Sequence, residues 1–380
     1  MSAKYKNITL VCVMAALIFG FSLWCMVKPS DPFSDSERRA LAQMPEFSAE
    51  SVFHENADES FMRLFEKYSL DQFPLRDAFR RIKSIAAYYV FGRKDNNGIY
   101  LEDGYAAKLE YPMNEASLNY AAKKFRTVYE RFLKNTGAKV YACVIPDKGY
   151  FLAEENGYLS MDYERFFSLF REKMSFAEFI DIRQTLEISD YYRTDTHWRQ
   201  EKLTETAKTL AAGMGTVLAG EYEERVLDHP FYGVYYGQSA LPLPAEEIRY
   251  LTGGFMEDCT VYDHQNGKEI SFYDMEKAVG KDPYEMFLSG NLSVVTIENP
   301  NAATEKEMIV FRDSFGSSLI PLLAQGYRKI TVVDIRYVQS ANLQVLRDGR
   351  TGKPLVDFAN ADDVLFLYST LVLNNSGTLR

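Results

Sequence analysis

Only four histidines occur in the 380 residues: His54, His197, His229 and His264. A general base built on imidazole must come from this short set. His197 lies in Thr194-Asp195-Thr196-His197-Trp198, after a short predicted strand and before a predicted helix. In extended backbone, residues two apart point the same way, so Asp195 can accept the Nδ1 proton and leave Nε2 free as base. A plainer reading has Asp195 capping the next helix and His197 packing beneath it. His229 and His264 read as surface residues of an inserted lobe.

A second segment, Met308-Ile309-Val310-Phe311-Arg312-Asp313-Ser314-Phe315-Gly316, runs an apolar strand straight into a predicted helix. A serine at that junction can project Oγ from the C-terminal edge of a sheet, where its own N–H can help hold an oxyanion. Helix capping by Asp313 or Ser314 explains the segment equally when it stands alone. Both segments sit at strand-to-helix turns, where an open parallel sheet gathers its ligands. Their convergence would give Ser314, His197 and Asp195 the roles of nucleophile, base and orienter in acyl transfer. Lys148, just past a strand end at Pro146, either faces the same cleft or is solvated. Asp334 and Arg336 read as a structural ion pair at another strand end.

The elements that must position these residues alternate. Asn114 can cap a helix carrying Leu118, Ala121, Phe125 and Val128 on one stripe, ended by Gly137. Strands are predicted over 139–145, 178–182, 308–311, 330–335 and 364–368. Helices are predicted over 161–174, 199–214, 317–324 and 340–347. Short apolar strands alternating with helices indicate an α/β fold, a parallel sheet with helices on both faces. Residues 220–300 break this rhythm with Tyr, Gly and Asp and are expected to form an inserted β-rich lobe. The α/β domain is thus expected over 111–219 and 301–380, preceded by a helical and hairpin segment over 28–110. Within that segment Ser34 and Glu37 have the spacing of a capping box for a short helix.

Residues 1–7 are polar and basic, and Ile8–Val27 is uncharged throughout. At 1.5 Å per residue that run spans a hydrocarbon core of about 30 Å. Lys4 and Lys6 before it predict a cytoplasmic N-terminus, and Lys28-Pro29-Ser30 offers no small-x-small cleavage site. The expectation is an uncleaved signal anchor at the cell membrane, with the larger C-terminal part extracytoplasmic. The formal charge of −10 gives no counterion-release term for nucleic acid, which is excluded as a partner. The four cysteines form no C-x-x-C or zinc spacing, no dinucleotide loop is present, and neither metal nor cofactor is expected.

Thr194–Trp198 together with Arg312–Phe315 resemble the DHHW family, which is related to the SGNH-hydrolase-like domains of alginate O-acetyltransferases. Asp71–Asp77, Gly98–Leu101, Pro146-Asp147-Lys148, Asp282–Asn291, Val333–Arg336 and Asp363–Thr370 are further landmarks in the same order. The resemblance implies Ser314 as nucleophile, His197 as base and Asp195 as orienter, in a circularly permuted order with the D-x-H before the serine. It implies an O-acetyltransferase or acetylesterase acting on a cell-surface or exported polysaccharide. An acyl donor and a membrane-bound O-acyltransferase partner belong to the same implication. A non-catalytic polysaccharide-binding role on the same scaffold is the alternative. In the catalytic reading Gly290 and Asn291 would supply oxyanion donors; otherwise they form a plain turn. Thr196 stands where the family name implies a histidine, and Arg312-Asp313 precedes the serine where Gly-Asp is usual. Arg312 can bind an anionic group or pair with Asp313.

Overall fold

The computed structural model describes residues 3–54 and 56–380. The chain divides into two compact units, one of residues 1–97 with 236–242, the other of 98–235 with 243–380.

The first unit opens with helix α1 (Ala3–Val27), whose Lys4–Val27 portion is long and apolar enough to cross a membrane. Ser34 and Glu37 do not start a helix. Phe33–Ser34 pairs antiparallel with Arg39–Ala40, and the Glu37 N–H donates to Ser34 Oγ at 3.2 Å across the turn. A capping box and this turn use the same hydroxyl-to-amide bond, so the local spacing fits both. Helices α2 (Phe61–Asp71) and α3 (Arg76–Ile85) follow, and α3 continues through Ala86–Val90 in wider π-type turns. Glu37 holds Arg76 at 2.5 Å and Arg80 at 3.1 Å, while Asp71 takes Arg39 at 2.6 Å.

The second unit begins with a hairpin, β1 (Ile99–Glu102) and β2 (Tyr105–Lys108). Its central sheet contains β3 (Lys139–Ile145) and β4 (Glu178–Phe179), then, beyond a separate hairpin of β5 (Glu223–Phe231) and β6 (Glu246–Thr252), β7 (Thr260–Asp263), β8 (Lys268–Ile270), β9 (Val294–Glu298), β10 (Glu307–Arg312), β11 (Lys329–Val333) and β12 (Asp363–Ser369). The order across the sheet is β8-β7-β9-β11-β10-β12-β3-β4. Five strands from β11 to β4 are parallel, and β9, β7 and β8 extend them antiparallel. The α/β architecture expected from the alternating pattern is present. Residues 220–300 are not one inserted lobe: β5 and β6 form a separate hairpin, whereas β7, β8 and β9 are the antiparallel edge of the main sheet. The hairpin over 98–108 groups with the sheet rather than with the segment before it.

Alternation along the central strands sends side chains to two cores. Tyr141, Cys143, Ile145, Val310, Leu365 and Leu367 meet helices α7 (Thr204–Gly213) and α8 (Gly316–Leu323) on one face, through Ala207, Leu210 and Leu319. Val140, Ala142, Ile309, Phe311, Val364 and Phe366 meet α4 (Glu115–Val128) and α6 (Tyr163–Lys173) on the other, through Leu118, Phe125 and Phe166; the short α5 (Lys148–Leu152) follows β3. Asn114 caps α4 through the Ser117 N–H at 3.0 Å. Each large apolar side chain buried this way contributes about 1.5–3 kcal/mol. Ser340–Val345 is a 3₁₀ turn rather than a helix, and the strand at 178 is only two residues long.

Candidate active site

β10 ends at Arg312 and the chain turns at once into α8, leaving Ser314 half-buried at the bend. The turn is tight enough to need glycine: a Cβ at Gly316 would lie 2.8 Å from the Arg312 Cβ. Asp313 holds the bend to the neighbouring strand. One oxygen accepts from the Phe315 N–H at 3.0 Å, the other from the N–H and hydroxyl of Ser369 at the end of β12, both at 2.7 Å. Among the described residues, the Ser314 N–H meets no acceptor.

The histidine arrives on a narrow loop. Tyr191 and Trp198 pair across its base, the Tyr192 N–H donates to the His197 carbonyl at 3.0 Å, and the Arg199 N–H to that of Asp190 at 2.7 Å. The Tyr191 hydroxyl ties the loop to Pro146, just past β3, at 2.6 Å. The tip is fixed by Glu246, which accepts from the N–H groups of Arg193 and Thr194 and from the Thr194 hydroxyl, each at 2.6 Å. The Trp198 indole N–H reaches over to the Phe315 carbonyl at 3.0 Å and Ser318 Oγ at 2.9 Å, locking the loop to the first turn of α8.

These two supports bring the sequence-predicted trio together. His197 Nε2 lies 2.8 Å from Ser314 Oγ, and its Nδ1 lies 2.6 Å from Asp195 Oδ1. A carboxylate only accepts, so Nδ1 carries the proton and Nε2 is left as the acceptor for the serine hydroxyl. Asp195 is fully buried and also accepts from the His197 N–H at 3.0 Å and the Val234 N–H at 2.8 Å. It caps no helix. The backbone of Gly233 approaches so closely that a Cβ there would sit 2.3 Å from the Asp195 Cα. The imidazole lies flat on Tyr284, with ring centroids 3.8 Å apart and 7° between planes, and Phe315 leans on it at 4.9 Å. Burial holds the Tyr284 phenol far above its usual pKa, so it stays neutral and bonds to Ser318 Oγ at 2.9 Å.

The remaining predicted residues do structural work. Arg312 is fully buried and does not face the cleft: its guanidinium donates to the Gly290 carbonyl at 3.0 Å, lies 3.4 Å from Asp334, and reaches only the carbonyl of Asp313. Asp334 also takes Arg336 at 2.7 Å. Gly290 spends its N–H on the Phe287 carbonyl at 3.0 Å, and the Asn291 side chain is exposed and bonds Glu285 at 2.9 Å. Both belong to a turn with Leu288, Ser289 and Gly290 at positive φ. Lys148 is neither solvated nor in the cleft. It is buried, donates to the carbonyls of Tyr192 at 2.9 Å and Arg193 at 3.3 Å, and its ammonium stands 4.9 Å over the Tyr235 ring. Thr196 turns away from the trio to accept from the Tyr235 hydroxyl at 3.1 Å. His264 is half-buried beside Thr296. Sequence reasoning missed Tyr284, Ser318, Gly233 and Glu246. Tyr284 does lie within the Asp282–Asn291 landmark, and Trp198 sits beside the histidine.

No family model and no curated protein matches the chain by sequence. Solved structures match it by shape. A DHHW family protein from Eubacterium siraeum superposes with a TM-score of 0.58 at 20% identity, covering 75% of this chain and 95% of that one. Bacillus cereus PatB1 with a sulfonyl adduct gives 0.57 at 19% identity over 72% of this chain and 95% of that one. A second structure of Bacillus cereus PatB1 gives 0.55 at 19% identity, over 72% of this chain and 96% of that one. The chain has the fold of the DHHW and PatB1 structures, and its parallel α/β core is the one expected from the alternating pattern.

Proposed function

We propose that this protein is a membrane-tethered serine acyltransferase that moves an acyl group, acetyl first among candidates, onto a hydroxyl of a cell-surface or exported polysaccharide. The observation that carries the reading is the continuous line Asp195–His197–Ser314, with 2.6 Å and 2.8 Å between its polar atoms. Ser314 Oγ attacks the carbonyl carbon of an acyl donor while His197 Nε2 takes the hydroxyl proton. The developing oxyanion is met by the Ser314 N–H. The imidazolium then returns its proton to the departing oxygen or sulfur, the donor's acyl bond breaks, and acyl-Ser314 remains. An acceptor hydroxyl gives its proton to His197 and attacks the ester; the acyl–Oγ bond breaks and Oγ takes the proton back. No residue beyond the trio moves a proton, and no metal or cofactor enters a step.

A helix able to cross a membrane supports tethering at the membrane. In this reading the larger part lies outside the cytoplasm, and a membrane-bound O-acyltransferase supplies the acyl groups. The sulfonyl adduct of PatB1 supports a reactive nucleophile on this fold. Water in place of the sugar would make the same trio an esterase.

The test is hydrolysis of a chromogenic acetate, with oligosaccharide added as competing acceptor. Ser314→Ala is expected to lose roughly 10³-fold or more of the rate. The parent chain is expected to be labelled by a sulfonyl fluoride and the variant not. Equal rates and equal labelling in both would remove the enzyme reading. Acetate release with no transfer product would make it an esterase.

A further inference from the structure

α3 and its continuation to Phe91 show two unlike faces. Ser84 and Ala87 are buried, Ser84 donating to the Ser239 carbonyl at 2.7 Å, and Arg80 donates to the Gly237 carbonyl at 2.9 Å. The opposite stripe carries Leu75, Phe79, Ile82, Tyr89, Val90 and Phe91, which recur at helical spacing and are exposed, Ile82 by 63% and Phe91 by 76%. A soluble face seldom leaves so much contiguous apolar surface bare. Arg81, Lys83 and Arg93 stand exposed among these residues. An apolar stripe of aromatic and aliphatic side chains flanked by cations is the pattern of a helix lying in a bilayer interface.

The depth of this stripe is set by α1. Phe21 stacks on Phe73 with centroids 5.5 Å apart and meets Phe79 edge-on at 5.8 Å; Phe73 and Phe79 are themselves 5.7 Å apart. Phe21 precedes the end of α1 at Val27 by about 9 Å of helix rise. If α1 spans a membrane, the rings it touches there lie below the headgroups, within the depth of roughly 5–10 Å at which interfacial helices sit.

We infer that residues 75–91 form a second membrane element, an amphipathic helix that lies in the interface of an anionic phospholipid bilayer beside the end of α1. The inference rests on the reading of α1 as a membrane span. Cations on the stripe suit phosphate headgroups, and the apolar side chains enter the acyl boundary.

Bromine quenching in the full chain tests it, in vesicles of phosphatidylcholine with phosphatidylglycerol brominated near the headgroup end of the acyl chains. The parent's own tryptophans are Trp24, in α1, and Trp198, which is buried. Parent emission reports Trp24 and hence the span. Phe79→Trp and Phe91→Trp, each combined with Trp24→Phe, report the helix. Both introduced indoles are expected to be quenched as strongly as Trp24. If Trp24 is quenched and the introduced indoles are not, the span stands and the interfacial helix is overturned; cover by a second copy or another protein gives this result. If none is quenched, the span fails and the inference falls with it.

Discussion

At Lys148 the chain buries an ammonium and gives it two carbonyls and an aromatic face. Desolvation drives its pKa down from 10.5 to about 7, and the carboxylates of Asp195, Glu246 and Asp147 pull back only part of that shift. The unfolded chain keeps the proton up to the ordinary lysine value, whereas the folded protein releases it near neutrality. Between those two pH values the unfolded state binds more protons, so stability rises with pH; below about 7 the burial penalty is felt in full. The slope from this one group is at most about 1.4 kcal/mol per pH unit. Denaturant titrations of parent and Lys148→Met from pH 7 to 10 are expected to show the parent gaining on the variant as pH rises. A constant gap would mean that the ammonium is not desolvated. Because Lys148 holds the carbonyls of Tyr192 and Arg193, just before Asp195, its loss is also expected to loosen the histidine loop.

Among elements, the histidine loop depends on a strand that never touches the serine. Gly233 follows β5 and runs against Asp195, while the Val234 N–H completes the carboxylate's shell. Gly233→Ala is expected to push Asp195 off its 2.6 Å contact with the imidazole and to cost roughly 10²-fold in ester hydrolysis, the scale of a displacement of about 1 Å. A circular dichroism melt checks that the variant remains folded, and an unchanged rate would show that the loop absorbs the methyl group. The sequence made the trio legible because each member stands at a strand or loop end beside a distinctive neighbour. It could not reveal Gly233, whose need for a bare Cα arises from a contact 38 residues away in the chain. Arg312 was ambiguous for the same reason: its partner Asp334 lies just past the end of the next strand, not beside it in the chain. Short, polar-alternating β7 and β8 looked like lobe segments because edge strands need bury only one face. The long apolar strands β3, β10 and β12, buried on both faces, were plain.

For the molecule as a whole, residues 236–242 matter because they group with residues 1–97 although they follow Tyr235 of the other unit. Their carbonyls are satisfied by Arg80, Ser84, Asn96 and Asn97, at Gly237, Gln238 and Ser239. A chain cut to begin at Gly98 strands those carbonyls just beyond Val234. At about 1 kcal/mol per hydrogen bond, the cut costs the 236–242 stretch roughly 4 kcal/mol. The 98–380 chain is expected to melt below a 28–380 chain and to hydrolyse acetate esters more slowly. Matching melts and rates would show that this stretch holds itself.

The sheet order has a consequence for how such a chain comes into being. β12, the last strand of the sequence, lies between β10 and β3, and its Ser369 fixes the aspartate beside the serine. A chain made from its N-terminus onward therefore cannot complete its sheet until residues 363–369 have been added. The strands that emerge earlier wait with open backbone edges on both sides of a missing neighbour. The bend that carries Ser314 lacks its Ser369 anchor until the last strand is in place, and a chain truncated before residue 363 is expected to aggregate through its open edges.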